Sequence, residues 1–94
     1  MVVFKVRKKG VKTMRSDREY YTMITESWKL FKKYFSQVKA DPAVMEKDDW
    51  WQTLIDEGCT LSEKYGECNF IKGLIIHNIF DEFDAIWKEH QAAA

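Results

Sequence analysis

The sequence predicts an all-α protein, an antiparallel three-helix bundle, and three observations carry that prediction. Apolar residues recur at helical spacing in three stretches. One proline and four glycines are too few turn residues for many short strands. Start and stop signals for helices bracket the periodic stretches. The expected helices run over 17–38, 49–65 and 70–89, with a short helical turn near 42–47. Residues 1–15 are expected as a loose basic segment or an edge strand, and 16–94 as the helical domain.

The first helix starts at Ser16. Ser16 and Glu19 form an S-x-x-E pair, in which each side chain satisfies a free backbone N–H of the first turn. At 100° per residue, Tyr20, Ile24, Trp28, Phe31, Tyr34, Phe35 and Val38 fall on one half of the wheel. Lys29, Lys32 and Lys33 fall on the other. Asp41-Pro42 then reads as a new start, with aspartate as cap and proline at the first helical position.

The second helix begins after Asp48 or Asp49, which suit the cap and the positive end of the helix dipole. Its apolar stripe is Trp50, Trp51, Leu54, Gly58, Leu61 and Tyr65. Gly66 stands where a left-handed C-terminal cap is expected. The third helix carries Ile71, Ile75, Ile76, Ile79, Phe80, Phe83, Ile86 and Trp87, with Phe70 and Leu74 widening the face. So apolar a helix touches more than one neighbour, which places it centrally.

Ninety-four residues make one small domain, and a composition of 46% hydrophobic and 32% charged residues is that of a soluble globular chain. No apolar run approaches the ~20 residues of a membrane span, and the N-terminus lacks the pattern of a signal peptide. Cytoplasm is therefore the expected location, with Cys59 and Cys68 reduced. Net charge is zero but unevenly placed. Residues 1–18 hold seven Lys/Arg against one Asp, and residues 41–94 hold four Lys against twelve Asp/Glu.

Candidate chemistry is sparse. Cys59, Cys68, His77 and His90 lie nine, nine and thirteen residues apart, whereas structural zinc sites pair ligands within a turn. The cysteines read as a small buried thiol, Cys59, and a loop thiol, Cys68, and no metal or cofactor is expected. His77 and Asp81 share a helix face, but two ligands do not make a site. There is no phosphate loop, no C-x-x-C and no nucleophile elbow. The chain is expected to be a non-enzyme.

Two binding surfaces suggest themselves. Lys5, Arg7, Lys8, Lys9, Lys12, Arg15 and Arg18, extended by Lys29, Lys32 and Lys33, form a basic surface able to neutralise phosphates. Ile55, Phe70 and Leu74 sit at the margins of the apolar faces and are expected to support a homodimer. The run Trp28-Lys29-Leu30-Phe31-Lys32-Lys33 also resembles the opening of cecropin-type membrane peptides. Two further apolar helices are available to cover that face, so no membrane partner is expected.

The stretch "DDWWQTLIDEGCTLSEKYGECNFIKGLIIHNIFDEFD" combines an acidic-aromatic helix start (Asp49, Trp50, Trp51) with a Lys64-Tyr65 helix end. The last helix then opens on Phe70 and Leu74, and the first ends on Tyr34-Phe35. Over roughly residues 16–90 this pattern resembles small proteins of unknown role from prophages and mobile elements of low-GC Gram-positive bacteria. Cys59, Cys68 and His77 are not features of that resemblance. It implies an accessory protein that works by protein contacts. The alternative is a nucleic-acid-binding accessory factor using the basic N-terminus and the Lys face of the first helix. Finally, Lys9 to Thr13 can be encoded as a purine-rich run resembling a bacterial ribosome-binding site directly before Met14. Met14 is thus expected as the natural first residue, with Met1 to Thr13 a translated leader.

Overall fold

The capping box at Ser16 forms as the sequence requires. Glu19 N donates to Ser16 Oγ at 3.1 Å, and Ser16 N donates to Glu19 Oε1 at 3.0 Å. The computed structural model describes residues 14–93. The expectations for Met1 to Thr13, a loose segment or edge strand, a translated leader, and phosphate contacts by Lys5, Arg7, Lys8, Lys9 and Lys12, lie outside the described residues.

From that cap, α1 runs Asp17–Ala40. Asp41 leaves the helix with φ −156° and caps a 3-10 turn, Pro42–Glu46, through Ala43 N to Asp41 Oδ1 at 3.1 Å. Met45 in this turn is 1% exposed, and its carbonyl accepts the Trp51 indole N–H at 2.8 Å. The turn is thereby pinned to the start of α2, Asp48–Lys64. Lys47, not an aspartate, holds the cap position of α2 and makes no side-chain cap bond. Asp48 and Asp49 lie inside the first turn, where they favour the helix dipole.

The end of α2 is a Schellman motif. Gly66 N donates to Glu63 O at 3.0 Å and Glu67 N to Ser62 O at 2.8 Å. Gly66 and Glu67 both take positive φ, 68° and 54°. The third helix, α3, follows as three consecutive segments: Asn69–Lys72, a π-helical stretch Gly73–Phe80, and Asp81–Ala93.

The described residues form an all-α, three-helix bundle. Glu26 pairs with Lys64 and Lys33 with Glu57, so α2 runs antiparallel to α1. Tyr20 meets Phe70 and Phe31 meets Phe83, so α3 runs parallel to α1. The core holds Met23, Leu30, Tyr34 and Val38 from α1, and Trp50 and Leu54 from α2. Ile71, Ile75, Ile79 and Phe83 of α3 and Met45 of the turn complete it. Trp50 stands edge-on to both Tyr34 and Phe83, at 5.5 and 5.4 Å between ring centres.

The structure corrects the expected inner face of α1. Met23, Ser27, Leu30, Tyr34 and Val38 are buried, while Ile24 and Trp28 are 48% and 54% exposed. The true face is rotated by part of a turn. Weighting the wheel by its bulky aromatics moved the expected face toward Trp28, whereas the two partner helices close over the Met23–Leu30 line. Ile76, also expected inside, is 42% exposed.

The π stretch was not anticipated. The buried row of α3 is Ile71, Ile75, Ile79, Phe83, spaced by four throughout. In a pure α-helix each step of four advances about 40°, so such a row winds away from its neighbour. A π stretch bonds i to i+5 and holds more residues per turn, which turns the row back. It keeps one line of side chains on the core for the length of the bundle. Here it also serves a second row, Phe70, Leu74, Asn78 and Glu82, that follows the seam with α1.

Candidate docking groove

That second row forms one wall of a concave groove of about 370 Å³ between α1 and α3. The opposite wall is Ile24, Trp28 and Phe31 of α1. Phe31 links the groove to the core, with ring centres 6.0 Å from Trp28 and 5.0 Å from Phe83. At its upper end Tyr20 packs edge-on against Phe70 at 5.0 Å. Asn78 is fixed in place by its amide, which donates to the Gly73 carbonyl at 2.7 Å across the π turn. Ser27 lies in the floor, 4% exposed, and its Oγ has no hydrogen-bond partner among the described residues.

The rims of the groove differ in charge. Lys32 stands on the α1 rim with its Nζ 6.0 Å above the Trp28 ring, and Lys39 continues that side 5.2 Å from the Phe35 ring. Glu82 lines the α3 side, and Glu89 lies two turns further along. Glu82 and Glu89 make no ion pair among the described residues.

Two other concavities, of about 390 and 310 Å³, are bordered by completed polar contacts. The α1–α2 seam beside Leu30 and Leu61 is spanned by Lys64–Glu26 at 2.9 Å and Lys33–Glu57 at 2.8 Å. Lys64 holds the Glu26 carboxyl below the ordinary carboxylate range, and Lys33 does the same for Glu57. The third, near Val44, is bridged by the Trp50 indole donating to Gln37 Oε1 at 2.9 Å. Beside it Tyr34 is buried, its hydroxyl near Glu57 but without a well-formed hydrogen bond among the described residues; burial first, then Glu57, pushes its ionisation far above the usual phenol value.

The basic residues named from sequence are divided by the fold. Arg15 turns inward: its Nη2 donates to the Tyr65 carbonyl at 3.2 Å, at the negative end of α2, and its Nη1 lies 3.8 Å from Glu19. Lys33 is taken up by Glu57. Arg18, Lys29 and Lys32 remain exposed on α1. The three residues named for self-association are also divided. Phe70 and Leu74 lie on the α1–α3 seam, whereas Ile55, 40% exposed, is on α2. Ile24 and Trp28 are the seam residues that sequence reasoning missed, because their apolar character placed them in the core.

Cys59, expected as a buried thiol, is exposed because it falls beside the inner stripe of α2; Cys68 is half-buried with its Sγ 3.9 Å from Met23 Sδ, and His90 lies 3.5 Å from Glu46. His77 and Asp81 are both exposed. Among the described residues no group of three or more His, Cys, Asp and Glu side chains is placed to hold a metal ion, and no helix is long and apolar enough to cross a membrane. No family model, curated protein or solved structure matches the chain.

Proposed function

We propose that this chain is a non-catalytic accessory protein of a phage or mobile element that acts through protein contacts made in the α1–α3 groove. The observation that carries this reading is the placement of Ile24 and Trp28. They stand 48% and 54% exposed along the concave α1–α3 groove, whereas Tyr21, the more exposed aromatic of α1 at 70%, does not line it. A half-exposed tryptophan at the centre of a concave apolar site, with polar groups at its edge, is the usual make-up of an interface anchor. The mobile-element assignment rests on the pattern over residues 48–84 and on its resemblance to small prophage proteins. Work in the cytoplasm fits a chain in which both cysteines are free.

The experiment is site-specific photocrosslinking in the native host. A benzophenone side chain replaces Trp28 in one variant and Gln52, exposed on α2, in another. A discrete protein adduct from position 28 and none from position 52 is the expected result. Adducts from neither position, or from both equally, would overturn the groove reading.

The second reading is nucleic-acid binding. Arg18, Lys29 and Lys32 favour it, because they remain on the outer surface of α1. The engagement of Arg15 and Lys33 within the chain weakens it. Anisotropy with a labelled 30-mer duplex separates the two readings. Tight binding that falls steeply with salt is the mark of phosphate neutralisation.

A further inference from the structure

We infer that the occupant of the groove is a second copy of this chain, packed about a two-fold axis that runs along the groove, parallel to the helices. The inference rests on the groove being the contact surface, and goes further by naming what fills it.

The argument is one of charge and register. α1 and α3 run parallel, with Tyr20 level with Phe70 and Phe31 level with Phe83. Lys32 therefore lies at the height of Glu82, and Lys39 within about a turn of Glu89. The lysines occupy the α1 rim and the glutamates the α3 rim. A two-fold axis along the groove lays α1 of one copy over α3 of the other without changing heights. Each copy then sets Lys32 against the second copy's Glu82, and Lys39 near its Glu89. By symmetry every such pair occurs twice, which is what a self-complementary interface requires. An axis across the helices instead lays α1 on α1 and α3 on α3, and no basic rim then meets an acidic one.

The apolar floor supplies what the charges do not. Surface ion pairs contribute little affinity but strongly select orientation. The half-exposed Ile24 and Trp28, with the partly covered Leu74, give each copy a central apolar strip to bury against the other. Among the described residues the glutamates make no ion pair and the two lysines rest on rings, so the new pairs break no ion pair seen there.

The test is a charge exchange read by sedimentation velocity on the full chain. The wild type is expected to be a dimer at tens of micromolar. Lys32→Glu with Lys39→Glu, and separately Glu82→Lys with Glu89→Lys, should each raise the dimer Kd more than tenfold at low salt. Mixed in equal amounts, the two variants should pair again, because their rims are now complementary between chains. All four positions are exposed and circular dichroism checks that each variant is folded. Should either misfold, Trp28→Asp replaces it and must also dissociate the dimer. A wild type that stays monomeric at high micromolar concentration, a dimer indifferent to both charge reversals, or variants that do not recombine would each overturn the inference. The underlying groove reading fails differently. If it holds and the second copy is wrong, position 28 still crosslinks to another protein while the purified chain stays monomeric. If it fails, position 28 yields no adduct, or none that position 52 does not yield equally.

Discussion

The ring of Phe80 occupies the space that a side chain at position 58 would need. A Cβ on Gly58 would lie 2.6 Å from Phe80 Cζ and 2.9 Å from Ile75 Cγ2. Mid-helix glycine costs roughly 1 kcal/mol relative to alanine in propensity, so its presence here answers to packing. It lets α2 approach α3 at the π stretch. Ile75 is 1% exposed, and both it and the Phe80 ring would have to shift to admit a Cβ. Gly58→Ala should therefore destabilise the fold by about 1–3 kcal/mol despite the better helix former. Urea unfolding measures it, and a rise in midpoint would show that the contact is looser than described.

The rotated face of α1 makes opposite predictions for adjacent positions. Met23 is 0% exposed, and Met23→Ala should cost about 2–5 kcal/mol. Ile24→Gln and Trp28→Gln should each cost less than about 1 kcal/mol in the monomer, because half of each side chain is already in water. Equal losses at positions 23 and 24 would restore the face read from sequence.

Among the described residues two buried hydroxyls make no well-formed hydrogen bond, Ser27 Oγ and Tyr34 Oη, the latter with Glu57 nearby. An unsatisfied buried polar group costs about 1–3 kcal/mol. Ser27→Ala and Tyr34→Phe are each expected to leave stability unchanged or raise it by up to about 1 kcal/mol. A clear loss in either variant on thermal melting would mean that the hydroxyl is bonded in solution.

Arg15 ties the entry of α1 to the exit of α2 through the Tyr65 carbonyl. Removing it leaves that carbonyl without its donor and the end of α2 with Lys64 as the cation of its last turn. Arg15→Ala should cost about 1 kcal/mol, whereas Arg18→Ala on the open surface should stay within about 0.5 kcal/mol. Denaturant midpoints for the pair decide the matter, and equal effects would remove Arg15 from its structural role.

Acid should weaken the α1–α2 seam first. Glu26 and Glu57 ionise more readily in the folded chain, chiefly through Lys64 and Lys33. Below the ordinary value of 4.5 the unfolded chain therefore binds more protons than the folded one. This stabilisation is complete above that pH and is lost as pH falls through the lowered folded values. The double variant Glu26→Gln, Glu57→Gln should be less stable than wild type at pH 7, with a smaller difference at a pH well below 4.5. An equal gap at both pH values would show that the two seam carboxylates carry no linkage.

Much of the architecture was legible because it is local. Ser16 and Glu19 announce a helix start from three residues apart, Asp41-Pro42 announces the turn, and Gly66 announces the end of α2. These signals depend on backbone groups within a turn of the residue, so the sequence contains them whole. The expected helix boundaries stand within four residues of those observed.

What the sequence by itself determined is therefore the number, order and ends of the helices, and which residues are apolar enough to compete for the core. Only the tertiary structure decided who won that competition. Met23 and Leu30 are inside and Ile24 and Trp28 are not, because two neighbours press on α1 from directions that its own wheel cannot show. The π stretch belongs to the same class. The four-residue spacing of Ile71, Ile75, Ile79 and Phe83 is written in the chain, but its meaning depends on a straight seam against two other helices. The groove, its unlike rims and the inward turn of Arg15 arise where elements distant in sequence meet. Burial and pairing there are properties of the assembled surfaces and of no single segment.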